Sequence, residues 1–191
     1  SVGINFTGKA LGVGAGDLNK DNFIDFYLPD VDGNSALFLS DGKGAFVRKG
    51  DGATGRRGEL AAQVADFDND GLLDVITQTT GGVMLQRGLG DKLAEAAPNS
   101  QTPAPNSRSF ALGDFTGDGG VDLVSFGDGG SVVALKSEGF GKNFARIQLA
   151  GKTSNRSAIG TKVELRSGSL RQKLEIYSAS PAPVSAGVVF G

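Results

Sequence analysis

Short apolar runs recur along the chain in pairs, with a Gly or Asp-Gly turn inside each pair and a polar, acidic stretch before it. The pairs are Phe26–Leu28 with Ala36–Leu39, Val75–Thr79 with Val83–Gln86, and Leu123–Phe126 with Val132–Leu135. A further apolar stretch precedes each acidic segment, at Leu11–Ala15, Leu60–Ala65 and Phe110–Leu112. A Gly-x-Gly turn and an apolar residue close each unit, over Gly42–Phe46, Gly88–Leu93 and Gly139–Phe144. Runs this short, rich in β-branched and aromatic residues and bounded by glycine, predict strands rather than helices. Each unit is therefore expected to be a sheet of four short antiparallel strands.

After residue 142 the pattern changes. Thr161–Arg166 and Leu170–Ile176 alternate apolar with charged residues around Ser167-Gly-Ser169, which predicts a hairpin with one buried face. Phe144, Ile147, Leu149 and Val188–Phe190 supply the material for further strands of a small sandwich or half-barrel. The expected organisation is three repeats over residues 1–142 and a separate β domain over 143–191. Pro, Ala, Ser and Asn dominate Glu95–Ser107, which reads as a surface loop.

The acidic segments repeat in register. Their first residues, Asp17, Asp66 and Asp114, are 49 and 48 residues apart, a period that points to propeller blades. Side-chain oxygens stand at loop positions one, three, five and nine, with an apolar residue, Ile24, Leu73 or Val121, just before the last. A hard cation such as calcium takes six to eight oxygens, and a tight loop can supply alternate side chains plus one backbone carbonyl. Read in this way, the first site is Asp17, Asn19, Asp21, the Phe23 carbonyl and Asp25. The second is Asp66, Asp68, Asp70, the Leu72 carbonyl and Asp74, and the third is Asp114, Thr116, Asp118, the Gly120 carbonyl and Asp122. Acidic surface turns without a metal are the competing reading, because Asp and Gly are ordinary turn residues. Such turns need not keep the alternation three times over. Up to three Ca2+ ions are expected, with the second site tightest for its four carboxylates and the third weakest for its Thr116 and flexible Gly119-Gly120.

Composition narrows the function. Of 191 residues, 31 are glycine without any three-residue period and 6 are proline, which excludes collagen and leaves turn-rich all-β structure. The formal charge is −2 with no basic run, which argues against nucleic acid as a partner. The chain has no cysteine and no histidine, so disulfides, thiol chemistry, Ser-His-Asp sets and imidazole metal sites are excluded. No stretch approaches the roughly 20 apolar residues of a membrane-spanning helix, so no transmembrane segment is expected.

The loops and their Gly-x-Gly hairpins resemble FG-GAP/VCBS-type repeats, the calcium-binding blades also found in integrin α-subunit heads. Asn143–Gly151 and Ser154-Asn-Arg-Ser-Ala-Ile-Gly160 resemble the ASPIC/UnbV domain that follows such blades in cartilage acidic protein and its bacterial relatives. Asn22 and Thr116 depart from the loop pattern, and Ser178–Pro183 departs from the expected tail. Closed propellers have four to eight blades, so three repeats imply part of a larger propeller, or flanks covered by the C-terminal domain or by another chain. The resemblance implies a non-enzymatic, calcium-stabilised protein, exported to the periplasm or cell exterior, that mediates adhesion to other proteins or glycans. A structural subunit of an extracytoplasmic assembly is the alternative. A carbohydrate-active enzyme would need a pair of acids in a cleft outside the fifteen loop ligands.

Lesser signals include Lys49-Gly-Asp51, the sequons at Asn5 and Asn155, and a basic group at Arg156, Arg166, Arg171 and Lys173 that reads as a solvated hairpin face.

Overall fold

A computed structural model describes residues 2–49, 57–94, 107–137, 143–168, 170–176 and 187–190. All regular structure in it apart from one short 3-10 turn is antiparallel β. Among the described residues no helix is long and apolar enough to cross a membrane.

The first sheet contains β1 (Gly14–Gly16), β2 (Asp25–Leu28), β3 (Ala36–Ser40) and β4 (Phe46–Lys49), hydrogen-bonded in chain order. The second contains β5 (Glu59–Ala65), β6 (Asp74–Thr79) and β7 (Gly82–Gln86), and the third β8 (Ser107–Gly113), β9 (Asp122–Gly127) and β10 (Val132–Leu135). The same scheme recurs: a first strand, the acidic loop, a central strand that opens on the loop's last aspartate, and a hairpin to the third. Among the described residues the expected fourth strand is present only in the first sheet. In the second, its place is marked by one isolated bridge between Gly88 and Leu93. The third sheet has three strands among the described residues. The Ala94 N–H bonds to the Arg87 carbonyl at 2.8 Å beside the Gly88–Leu93 bridge, and the residues that follow lie outside the described ones.

The apolar interior lies between sheets. Leu18, Tyr27, Leu37 and Leu39 of the first repeat meet Ala62, Leu73 and Val75 of the second, with Val64 at the margin. Ile76 and Val83 of the second meet Phe110 and Leu123 of the third. Thr77 Oγ1 and Gln86 Oε1 are buried in the second sheet without a partner, but other buried polar groups tie the sheets together. Glu59, fully buried, accepts hydrogen bonds from Tyr27 Oη (2.7 Å) and Ser35 Oγ (2.5 Å), tying the second sheet to the first. Gln78 Nε2 donates to the Ser107 carbonyl at 3.0 Å, tying the second to the third.

The remaining strands form two pairs, β11 (Ala145–Gln148) with β14 (Gly187–Phe190) and β12 (Lys162–Ser167) with β13 (Leu170–Glu175). The turn between β12 and β13 is permitted by Gly168 at φ 60°. Ile176 and Phe190 are buried between the pairs, with Ile147, Leu149, Val163 and Leu165 around them. Leu174 also packs against the junction of the first two sheets, so β13 contributes to both interiors. Arg166 and Arg171 share Glu164, a solvated ion-pair cluster on the hairpin face. Glu95–Asn106, Gly50, Asp51 and Ser178–Pro183 lie outside the described residues.

Candidate metal centre

The three acidic loops are built on one hydrogen-bonding plan. The aspartate at position one accepts the backbone N–H groups of positions five and six, and Asp114 also that of Gly117 at 2.6 Å. Asp17 holds Asp21 N (2.9 Å) and Asn22 N (2.8 Å), Asp66 holds Asp70 N (3.0 Å) and Gly71 N (2.9 Å), and Asp114 holds Asp118 N (3.1 Å) and Gly119 N (3.0 Å). Position five accepts from the N–H of position seven, in Asp21 from Phe23 (2.9 Å), in Asp70 from Leu72 (2.8 Å) and in Asp118 from Gly120 (3.0 Å). Asn19 and Asp68 at position three add a bond from position five, both at 3.1 Å. Thr116 departs from this, its hydroxyl donating instead to Asp122 Oδ2 at 3.2 Å.

Curling the chain around side-chain oxygens requires left-handed backbone at positions four and six. Those residues are Lys20 (φ 61°) and Asn22 (φ 76°), Asn69 (φ 58°) and Gly71 (φ 89°), and Gly117 (φ 80°) and Gly119 (φ 88°). Asn and Gly are the residues that adopt this region at least cost, and only Lys20 is an exception.

The closing aspartate is a latch. Asp25, Asp74 and Asp122 begin β2, β6 and β9 and are 0–3% exposed. One oxygen of each accepts the N–H of loop position two, Leu18 (2.9 Å), Phe67 (2.8 Å) or Phe115 (2.9 Å). The other accepts an N–H beyond the third strand or at its end, from Ser40 (2.9 Å), Gly88 (2.8 Å) or Ser137 (3.0 Å). A single carboxylate thus joins the loop's entrance to the far end of the hairpin that follows.

In the second loop Asp66, Asp68 and Asp74 bring oxygens within 4.8 Å of one another, a cluster able to hold a metal ion. It is the one such trio among the described residues. Burial pushes the Asp66 carboxyl up to about 6 and that of Asp74 up to about 7, with neighbouring loop carboxylates adding to the effect. Asp25 is pushed to about 6 for the same reasons, and Asp17 is also raised. The carboxyl of Asp118 is instead held below the usual range by the Gly120 N–H and by Lys136.

Internal cations distinguish the sites. Arg87, immediately before the latch donor Gly88, pairs with Asp68 and Asp70, each at 2.6 Å. Lys136, in the same place before Ser137, pairs with Asp118 at 2.9 Å, and Arg146 pairs with Asp114. The equivalent residue before Ser40 is the buried Leu39, and among the described residues no ion pair reaches Asp17, Asp21 or Asp25. A ranking by carboxylate number alone misses this. The second loop's fourth carboxylate is offset by a guanidinium, and the third loop sets two cations against its three carboxylates. Arg87 and Lys136 were legible only by aligning the residues before the latch donors, a signal that composition does not carry.

Antiparallel sheets that each carry the same acidic loop between their first two strands define a propeller-type repeat protein. A family model for the FG-GAP-like repeat matches residues 17–77 and, overlapping them, 66–125. The chain belongs to the FG-GAP-like repeat family. Comparison with curated proteins finds none that matches.

Proposed function

We propose that this chain is a calcium-stabilised, non-enzymatic interaction module that works outside the cytoplasm, where it binds other proteins or glycans. The observation that carries the reading is the threefold loop plan, which gathers hard oxygen donors and no nitrogen or sulfur. Such a donor set suits calcium and not softer metals. The ligands would be the side chains at positions one, three, five and nine, with the carbonyls of Phe23, Leu72 and Gly120. Bound calcium would neutralise carboxylates that otherwise face one another, and so hold the loop closed against the strands it joins. Extracellular calcium modules bind at about 10⁻⁴–10⁻³ M, which favours an exported location. We further assign residues 143–191 to an ASPIC/UnbV-like domain. Within its Ser-Asn-Arg-x-x-Ile-Gly segment, Asn155 grips Ile159 through both backbone groups, N–H to Oδ1 at 3.0 Å and Nδ2 to C=O at 2.7 Å. That grip supports a purely architectural role for the motif.

A second reading, a subunit of a larger extracytoplasmic assembly, is favoured by the third sheet and its loop. Phe115, Phe126 and Val132 are 58%, 47% and 58% exposed there, apolar side chains that a neighbouring chain would cover.

Thermal melts with and without calcium test the first reading. At 10 mM calcium each filled site should add about 1–3 kcal/mol of stability, raising the melting temperature by several degrees. Asp70→Ala should remove more of that increment than Asp118→Ala, and a melt indifferent to chelator would count against the proposal. Arg87→Gln should tighten binding at the second loop about fivefold, by removing a competing cation; isothermal titration of the variant reads this directly.

A further inference from the structure

Five Asp-Gly steps lie among the described residues: Asp32-Gly33, Asp41-Gly42, Asp70-Gly71, Asp118-Gly119 and Asp128-Gly129. Such a step is chemically labile, because a glycine without Cβ lets its own amide nitrogen swing onto the carboxyl of the preceding aspartate. Ring closure needs that nitrogen disengaged and the backbone free to rotate. Four of the five steps fail the first condition. The Gly33 N–H is held by the Asp30 carbonyl (3.2 Å), that of Gly42 by Ser40 Oγ (3.2 Å), that of Gly71 by Asp66 Oδ2 (2.9 Å) and that of Gly119 by Asp114 Oδ2 (3.0 Å). Gly42 and Gly119 also lie under the rings of Phe23 and Phe144. The carboxylates of Asp41, Asp70 and Asp118 are occupied as well, each accepting the backbone N–H two residues on.

Asp128-Gly129 differs on each count. It forms the turn between β9 and β10, where Asp128, Gly129 and Gly130 are all exposed. The Gly129 N–H meets no acceptor outside its own turn, and a Cβ at Gly129 or Gly130 would find nothing within 4 Å. Among the described residues the Asp128 carboxylate has one partner, the guanidinium of Arg108, in a solvated pair that restrains it little.

We propose that Asp128 is a site of spontaneous isoaspartate formation, reacting in the folded protein while the other four steps are protected. The Gly129 nitrogen bonds to Cγ of the protonated carboxyl, and the hydroxyl leaves as water with the nitrogen's proton, giving a five-membered succinimide. Water then adds at one of the two ring carbonyls and breaks its bond to nitrogen. Opening at Cγ restores aspartate. Opening at the main-chain carbonyl routes the peptide through Cγ and lengthens the backbone by one carbon. The turn thus stretched is closed by the Gly127 N–H on the Ser131 carbonyl at 2.9 Å. Beyond β10, the Ser137 N–H serves the latch carboxylate of Asp122 at 3.0 Å, so a shifted β10 loosens the third loop from its far side.

The test ages the full chain for weeks under mildly acidic, calcium-containing conditions and locates isoaspartate by electron-transfer fragmentation of its peptides. A urea-unfolded sample, in which all five steps are open, supplies the intrinsic rate of each. Relative to that reference, Asp128 should convert at least about tenfold faster in the folded protein than any of the other four, the ratio that one hydrogen bond on the attacking nitrogen imposes. Gly129→Ala should remove the signal at residue 128 and leave the other steps unchanged. Conversion spread evenly over the five steps of the folded protein overturns the proposal. So does a signal at residue 128 that persists at the parental rate in Gly129→Ala.

Discussion

Replacing Asp74 by alanine should lower the melting temperature by about 10 °C, in chelator as well as in calcium. The aspartate is fully buried and accepts the N–H of Phe67 and that of Gly88, each at 2.8 Å. Truncation strands both donors in the interior. Hydrogen bonds to a charged acceptor contribute about 1.5–3 kcal/mol each, and an orphaned buried donor carries a desolvation cost of about 1–3 kcal/mol, so a loss of about 3–5 kcal/mol is expected. The effect in chelator is the informative half. A residue whose only role is to ligate an ion would, once truncated, relieve carboxylate repulsion and leave the metal-free protein unharmed or more stable. Asp70→Ala, which gives up only the Leu72 N–H and a surface ion pair with Arg87, should lose much less in chelator than Asp74→Ala. Differential scanning calorimetry on both variants separates the two roles, and an Asp74→Ala protein that melts like the parent in chelator would remove the latch from the account.

The metal-free protein should become more stable as the pH falls from 7.5 to 5.5, by about 5 °C or more. Folding raises the carboxyls of Asp25 and Asp66 to about 6 and of Asp74 to about 7, well above the value of about 4 in an unfolded chain. The folded state therefore binds these protons more tightly. Acidification through the folded values favours it, until the unfolded chain also takes up the protons near pH 4. Below that point the trend reverses, because Asp30, Asp41, Asp118 and Glu164 have lowered values, and the stability they contribute is lost as they protonate. The chelated protein should be most stable near pH 5. Calcium requires the ionised carboxylates, so the stabilisation it adds should shrink over the same interval. Melts at pH 7.5 and 5.5, each with and without calcium, check both signs, and a metal-free melting temperature that falls on acidification to 5.5 would refute the account of the raised groups.

Much of this was legible in the residues, for local reasons. The pairs of apolar runs became β2 with β3, β6 with β7, and β9 with β10, because strand identity here is carried by runs of adjacent residues with glycine between them. The loops were legible because oxygen-bearing side chains at odd positions are what a curled backbone needs, with or without an ion. What the sequence concealed was long-range. Gln172 sits in an alternating strand that reads as a charged face, and only its docking against Asp66, 106 positions away in the chain, shows that it is buried. Glu59 likewise reads as the polar edge of a strand, yet it closes on Tyr27 and Ser35 across a sheet boundary.

No sheet of the array owns its interior. Tyr27 and Leu37 are half of a joint whose other half is Ala62 and Val75, and Ile76 faces Phe110 in the same manner. A gene segment encoding one whole repeat carries one face for the neighbour on each side, so duplicating or deleting it still sets an apolar face against an apolar face. Lineages can thus lengthen or shorten such an array by whole units, while a crossover that splits a unit between its strands leaves two unmatched faces.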